Sequence, residues 1–158
     1  MSVFEPDKNF KRLSDVPFEL LKEWGIKAVL LDTDNTIASR DREDFLPDAL
    51  EWVEMAKNKG YKIAIVSNGL PWRIKKACEV LGIPYLVPAP IMKPFSFGFR
   101  IAARKLRVKS SECVMVGDQR FTDIQGANRA GMRTIQVEPI DPKTDLPWTR
   151  LLRKITKG

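Results

Sequence analysis

Apolar residues along this chain follow two alternating patterns, and the alternation predicts the fold. Short continuous runs, Lys27–Asp32 (KAVLLD), Lys62–Ser67 (KIAIVS), Pro84–Pro88 (PYLVP), Glu112–Gly117 (ECVMVG) and Arg133–Glu138 (RTIQVE), read as strands. Between them apolar residues recur every three or four positions, as helices require. Leu46, Ala49, Leu50, Val53 and Ala56 follow this spacing around Pro47, with Gly60 as the stop. Ile74, Ala77, Cys78 and Leu81 do so between Pro71 and Gly82, and Phe95, Phe99, Ala102, Ala103 and Leu106 within Pro94–Leu106. A further helix is expected over Asp123–Ala130, closed by Gly131. Proline suits a first helical turn because no N–H is needed there, and glycine suits the left-handed exit. Ahead of the first strand, Ser14 or Asp15 can cap a helix starting near Pro17 and ending at Gly25. A short basic helix can follow Pro147.

The strand runs are apolar throughout, so both faces of the sheet must be covered, and strands alternating with helices imply parallel pairing. The expectation is one three-layer, Rossmann-like α/β domain with a central parallel sheet of about five strands. Residues 1–25 would form an N-terminal helical extension, 26–138 the catalytic core and 139–158 a basic tail. A length of 158 residues supports one such core.

Composition narrows the chemistry. There is no histidine, which removes Ser-His-Asp and Cys-His nucleophiles and histidine-based zinc sites. The two cysteines, Cys78 and Cys113, sit in apolar segments and read as buried thiols of a reducing compartment. A net charge of +7 favours anionic partners such as a phosphorylated substrate; nucleic acid is not the expected one. No apolar run is long enough to cross a bilayer, and the N-terminus lacks the apolar core of a signal peptide, so a cytoplasmic location is expected.

In open parallel sheets, ligands bind beyond the carboxyl ends of the strands. Here those ends carry the polar clusters: Asp32-Thr33-Asp34-Asn35-Thr36, then Ser67-Asn68-Gly69, then Lys93, then Gly117-Asp118 with Asp123 on the following turn. Four converging carboxylates repel one another unless a cation sits among them, and Lys93 supplies only one charge. Oxygen ligands point to Mg²⁺. A carboxylate shielded in this way can attack phosphorus, and a second acid two residues away can protonate the leaving alcohol and then activate water. The hydroxyl of Ser67 and the ammonium of Lys93 can hold the phosphoryl oxygens.

These segments resemble, in order and spacing, the four motifs of haloacid-dehalogenase-like (HAD) phosphatases, and the match spans about residues 26–138. The resemblance implies that Asp32 is the nucleophile and a metal ligand, and that Asp34 is the general acid/base with its backbone carbonyl on the metal. It implies Ser67 and Asn68 as phosphate-binding, Lys93 as the residue steadying nucleophile and phosphoryl group, Asp118 as a Mg²⁺ ligand, and Asp123 as an outer partner orienting Lys93 or a metal-bound water. The superfamily usually has Gly where Asn35 stands. About thirty residues separate Asp34 from Ser67 and about twenty-five separate Ser67 from Lys93, too few for a cap domain. The charged segment Ile37–Leu46 is the candidate flap over the open site. LLDTDNTI, VGDQRFTD and IQGANRAG are similar to the YqeG-type branch of subfamily III, itself similar to mitochondrial phosphatidylglycerophosphate phosphatases. That likeness implies a lipid phosphate monoester as substrate, with a phosphoprotein, nucleotide or sugar phosphate as the alternative, and a weakly active binding protein as another.

Simpler readings exist for several of these residues. Asp123 can merely cap its helix. Phe95, Phe97 and Phe99 suit the core, and Trp72 suits either core packing or substrate contact. The tail, with Arg150, Arg153, Lys154 and Lys157 beside Trp148, Leu151, Leu152 and Ile155, suits a docked terminal helix or a helix in peripheral contact with an acidic membrane surface. A receiver domain, which holds phosphate on a middle-strand Asp, does not fit acids standing two apart after the first strand.

Overall fold

A computed structural model describes residues 2–39, 45–86, 93 and 95–156. Five parallel strands form one sheet in the order β1-β5-β4-β2-β3: β1 (Lys8–Phe10), β2 (Ala28–Leu31), β3 (Lys62–Ile65), β4 (Cys113–Gly117) and β5 (Arg133–Val137). The helices are α1 (Phe18–Glu23), α2 (Pro47–Asn58), α3 (Pro71–Leu81), α4 (Phe97–Lys105), α5 (Gln125–Arg129) and α6 (Pro147–Thr156).

All four residues of β2 and all five of β4 are buried, as strands covered on both faces must be. Their side chains alternate between two cores. Val29, Leu31, Ile63, Ile65, Val114 and Val116 face the layer containing α2 and α3. Ala28, Leu30, Ala64, Val66 and Met115 face the layer of α4 and α5, where Phe99 is fully buried. This is the three-layer architecture expected. Pro47 and Pro71 open their helices, and Gly82 closes α3 at φ 64°. β2 lies between β4 and β3, in register from Ala28↔Cys113 and Ala28↔Lys62. The chain leaves β2 for one side of it and later returns on the other, which places the tip of β2 at the topological switch point.

Several expectations need correction. The fifth strand is β1, which pairs Lys8 with Ile135 through Phe10 with Val137. Residues 84–86 of the expected PYLVP strand carry no strand pairing, and residues 87 and 88 lie outside the described residues. The N-terminal segment therefore contributes to the sheet as well as supplying a helix. α1 starts after Pro17 without a side-chain cap: the Ser14 hydroxyl donates to Asp48, and Asp15 accepts from the backbone N–H of Arg12. α4 begins at Phe97, so Phe95 is exposed and not inward, and Phe97 is exposed as well. The turn Arg120–Ile124 before α5 is π-helical. Of the expected flap, Ile37 is fully buried and Ala38 bridges both Asp34 and Phe45; residues 40–44 lie outside the described residues.

Candidate active site

β2 ends at Leu31, and the next residue, Asp32, stands at the tip of this interior strand with 5% of its surface exposed. The chain then turns. Asn35 adopts a left-handed conformation (φ 61°), which asparagine tolerates better than most residues, and its N–H donates to the Ala38 carbonyl at 2.7 Å. Asn35 thus fills by its own chemistry a place where glycine was the expectation. It also does something glycine cannot. Its side chain donates to Asp145 Oδ1 (3.1 Å) and accepts from the Asp141 N–H (3.2 Å), tying the turn to the segment entering α6.

The sequence-predicted residues converge. Asp32, Asp34, Ser67, Asn68 and Lys93 line one cleft, which Phe121, Leu146, Trp148 and Leu152 line as well. Lys93 Nζ donates to Asp32 Oδ1 (3.0 Å) and to Asp123 Oδ1 (2.5 Å). Asn68 fixes the Lys93 backbone in both directions, accepting its N–H at 2.8 Å and donating to its carbonyl at 3.1 Å. The Ser67 hydroxyl oxygen lies 3.3 Å from that of Thr33 and accepts the Gly69 N–H at 3.0 Å. Asp34 stands apart from the buried acids and pairs with Arg73 of α3 at 3.1 Å.

Asp118 and Asp123 are completely buried beside Asp32, and one carboxylate oxygen from each of the three lies within 4.8 Å of the others. Burial and the neighbouring Asp32 and Asp123 charges push the Asp118 carboxyl well above the usual carboxylate range, against the pull of Arg153. Asp123 is pushed up to about 6 by burial and by Asp32, with Lys93 opposing. Burial alone would lower the Lys93 ammonium; the Asp123 and Asp32 carboxylates more than reverse that, and it stays charged. Gly117 is needed where it stands: a β-carbon there would come within 2.5 Å of Asp123 Cγ.

Two arginines at this site were not among the predicted residues. Arg73 lies in the first turn of α3, where its spacing is that of a solvated face. Arg153, on α6, donates through Nη2 to Asp118 Oδ2, through Nη1 to the Asp118 carbonyl (2.9 Å) and through Nε to Asp145 Oδ2 (2.6 Å). α6 is therefore docked, with Leu152 buried and Arg153 reaching into the site.

A family model of haloacid dehalogenase-like hydrolases matches residues 18–131. The chain belongs to the haloacid dehalogenase-like hydrolases. This hydrolase is 40% identical over 154 residues to "Probable phosphatase YqeG" of Bacillus subtilis (strain 168), which covers 98% of this chain and 88% of that protein. It is 30% identical over 159 residues to "Phosphatidylglycerophosphate phosphatase 1, chloroplastic/mitochondrial" of Arabidopsis thaliana. That match takes in 95% of this chain but 45% of the plant protein, so the hydrolase spans under half of its length. The crystal structure of a HAD phosphatase from Thermococcus onnurineus shares the fold at a TM-score of 0.61, with 20% identity over 84% of this chain and 99% of that one. The hydrolase is a phosphatase acting on phosphate monoesters.

The donor set of the hydrolase suits a hard divalent cation. Among the described residues, four buried carboxylates (Asp32, Asp118, Asp123 and Asp145) meet two cations, Lys93 and Arg153. With all four ionised, as a bound cation would leave them, the excess is two negative charges, the complement of one Mg²⁺, and all the available donors are oxygens.

Proposed function

We propose that the chain hydrolyses phosphomonoesters with Mg²⁺ through an aspartyl-phosphate on Asp32, and that its substrate is an anionic lipid phosphate such as phosphatidylglycerophosphate. The observation that carries the chemistry is the placement of Asp32: at the tip of β2, 3.0 Å from the Lys93 ammonium, and opening on a cleft shared with Asp34 and Ser67.

Asp32, Asp118 and the backbone carbonyl of Asp34 would hold the metal. When bound, Mg²⁺ shields the attacking carboxylate from the phosphoryl charge and stabilises that charge as the reaction proceeds. The remaining work belongs to the chain. A carboxylate oxygen of Asp32 forms the bond to phosphorus as the ester oxygen leaves. Asp34 gives its proton to that leaving oxygen, then takes one from the water that attacks the same phosphorus and releases Asp32 with inorganic phosphate. Arg73 at 3.1 Å holds the Asp34 carboxylate in place between the two transfers. Ser67 and Lys93 bind the phosphoryl oxygens, and Asp123 and Asn68 hold Lys93 from its side chain and its backbone.

The lipid reading rests on the 30% identity to the plant phosphatidylglycerophosphate phosphatase over 95% of this chain. No helix among the described residues is long and apolar enough to cross a membrane, and Cys78 and Cys113 are buried free thiols. The enzyme would work in the cytoplasm, meeting an acidic membrane surface peripherally.

Asp32→Asn should keep the fold and cut Mg²⁺-dependent turnover of p-nitrophenyl phosphate at least about a thousandfold. Near-normal turnover would remove Asp32 as nucleophile. The substrate class is decided by a panel: phosphatidylglycerophosphate in mixed micelles should exceed soluble sugar, nucleotide and peptide phosphates in kcat/KM, and equal or lower values would end the lipid reading.

A further inference from the structure

Exposed apolar side chains are not spread evenly over this protein. Among the described residues, eleven large ones are exposed. Three of them stand elsewhere: Val3 in the N-terminal segment, Met55 on α2 and Val80 near the C-terminal end of α3. The other eight lie a few residues beyond Ser67 or Lys93 in sequence, or on and just before α6, whose Arg153 reaches into the site. Leu70 and Trp72 follow the Ser67–Gly69 turn, and Trp72 lines a groove with Thr33 and Asp34. Phe95 and Phe97 follow Lys93, their rings stacked on each other at 6.4 Å and away from the core. Leu146 just before α6 and Trp148 in its first turn line the cleft itself. Leu151 and Ile155 carry the exposed apolar stripe along α6.

We infer that this rim is a docking surface for a bilayer containing anionic phospholipid. The inference deepens the proposed function and rests on its reading of the cleft. The charge beside these residues favours a membrane over a protein partner, and the size of the cleft fits a substrate held by its headgroup alone. The rim helices carry exposed cations beside the apolar residues: Lys75 and Lys76 on α3, Arg150 and Lys154 on α6. α6 contains no acidic residue, and both helices open with the dipeptide Pro-Trp, at residues 71–72 and 147–148. Tryptophan with lysine and arginine is the composition of a membrane interface, whereas lysine is depleted from protein–protein contacts. The cleft is small. Its volume of about 260 Å³ falls below the range of about 300–1,000 Å³ that encloses most of a drug-sized ligand. A phosphorylated headgroup enters, and the acyl chains of a lipid ester remain outside, at the level of the rim. The rim thus lies where the chains would be, and the enzyme draws the headgroup up without extracting the lipid.

The test is co-sedimentation of the full chain with vesicles of phosphatidylcholine alone or with about 30 mol% phosphatidylglycerol, neither of which is a phosphomonoester. The wild type should sediment with the anionic vesicles and remain in the supernatant with the neutral ones. The double variant Leu151→Ser/Ile155→Ser should weaken that binding at least about tenfold, as expected for losing two inserted aliphatic side chains. Its turnover of soluble p-nitrophenyl phosphate should not change, since neither residue lines the cleft. Phe97→Ser, on a different element, should weaken binding independently. Failure of the wild type to bind anionic vesicles overturns the inference, as does unchanged binding by both variants. A wild type that elutes as a dimer, and variants that elute as monomers without any vesicle binding, would make a second copy the occupant and equally overturn it. Vesicle binding without phosphatidylglycerophosphate turnover would sink the substrate reading alone. Turnover in micelles without vesicle binding would sink the rim alone.

Discussion

Arg153→Met removes the guanidinium N–H groups that reach Asp118 and Asp145 while keeping an unbranched stem of similar length. In the wild type the guanidinium contacts both Asp118, whose side chain is 0% exposed, and Asp145, at 1%. Removing one partner of a buried ion pair typically costs about 3–5 kcal/mol, because the other charge stays buried and uncompensated. Two features reduce the figure here. The Arg153 side chain is itself 17% exposed, so water can reach the vacated space. Asp145 also retains the Asn35 amide at 3.1 Å, and Asp118 the Thr36 hydroxyl at 3.4 Å. A loss of about 2–4 kcal/mol follows, which for a chain of this size lowers the melting midpoint by roughly 5–15 °C in EDTA. The orientation of Asp118 should suffer too. Outer hydrogen-bond partners of metal ligands typically govern about 10–100-fold in affinity, so a Mg²⁺ titration of the melting midpoint should shift to higher concentration by that factor. Asp145→Asn, alone and combined with Arg153→Met, closes a double-mutant cycle and shows how much of the loss the Arg153–Asp145 pair carries. A variant that melts within about 2 °C of the parent, with the same Mg²⁺ dependence, would refute the claim that α6 supports the site.

Other consequences are equally direct. Gly117→Ala places a methyl group against the buried Asp123 carboxylate, with Cγ at 2.5 Å and Cβ at 2.6 Å, so Asp123 must move and carry Lys93 with it. The expected cost is about 1–3 kcal/mol in urea unfolding, together with a loss of turnover larger than the loss of stability explains. Asp123 binds its proton more tightly in the folded state, to about 6, than the ordinary value of 3.8 in the unfolded chain. Its contribution is therefore present below about pH 4 and disappears as pH rises to about 6, and Asp118, raised in the same sense, adds to the trend. Melts of the metal-free protein across that window should show declining stability, and Mg²⁺ should stabilise most at its upper end. A rise in metal-free stability there would contradict the crowding of these acids.

Much of the convergence of the site residues could be read from the sequence, because the acids and the Ser67–Gly69 turn sit at the ends of continuous apolar runs. Strand position alone brings Asp32, Ser67 and Asp118 to one edge of a parallel sheet. What escaped that reading escaped for physical reasons. Lys8–Phe10 contains one apolar residue and no run; β1 exists because β5 offers it an open edge. Arg73 and Arg153 look like members of solvated basic faces, and only the packing of α3 and α6 against the strand tips turns them inward. Phe95 and Phe97 fit a core spacing on paper, but α4 begins two residues too late to bury the first of them. Asn35 was a departure from an expected glycine until the segment leading to α6 supplied partners for its amide.

Because Arg153 and Asp145 brace residues fixed more than twenty positions earlier, the order of synthesis matters. A nascent chain with β4 already emerged from the ribosome still lacks the guanidinium that steadies Asp118, and a proteolytic nick before α6 would recreate that condition. Full function at this strand tip arrives with the last helix.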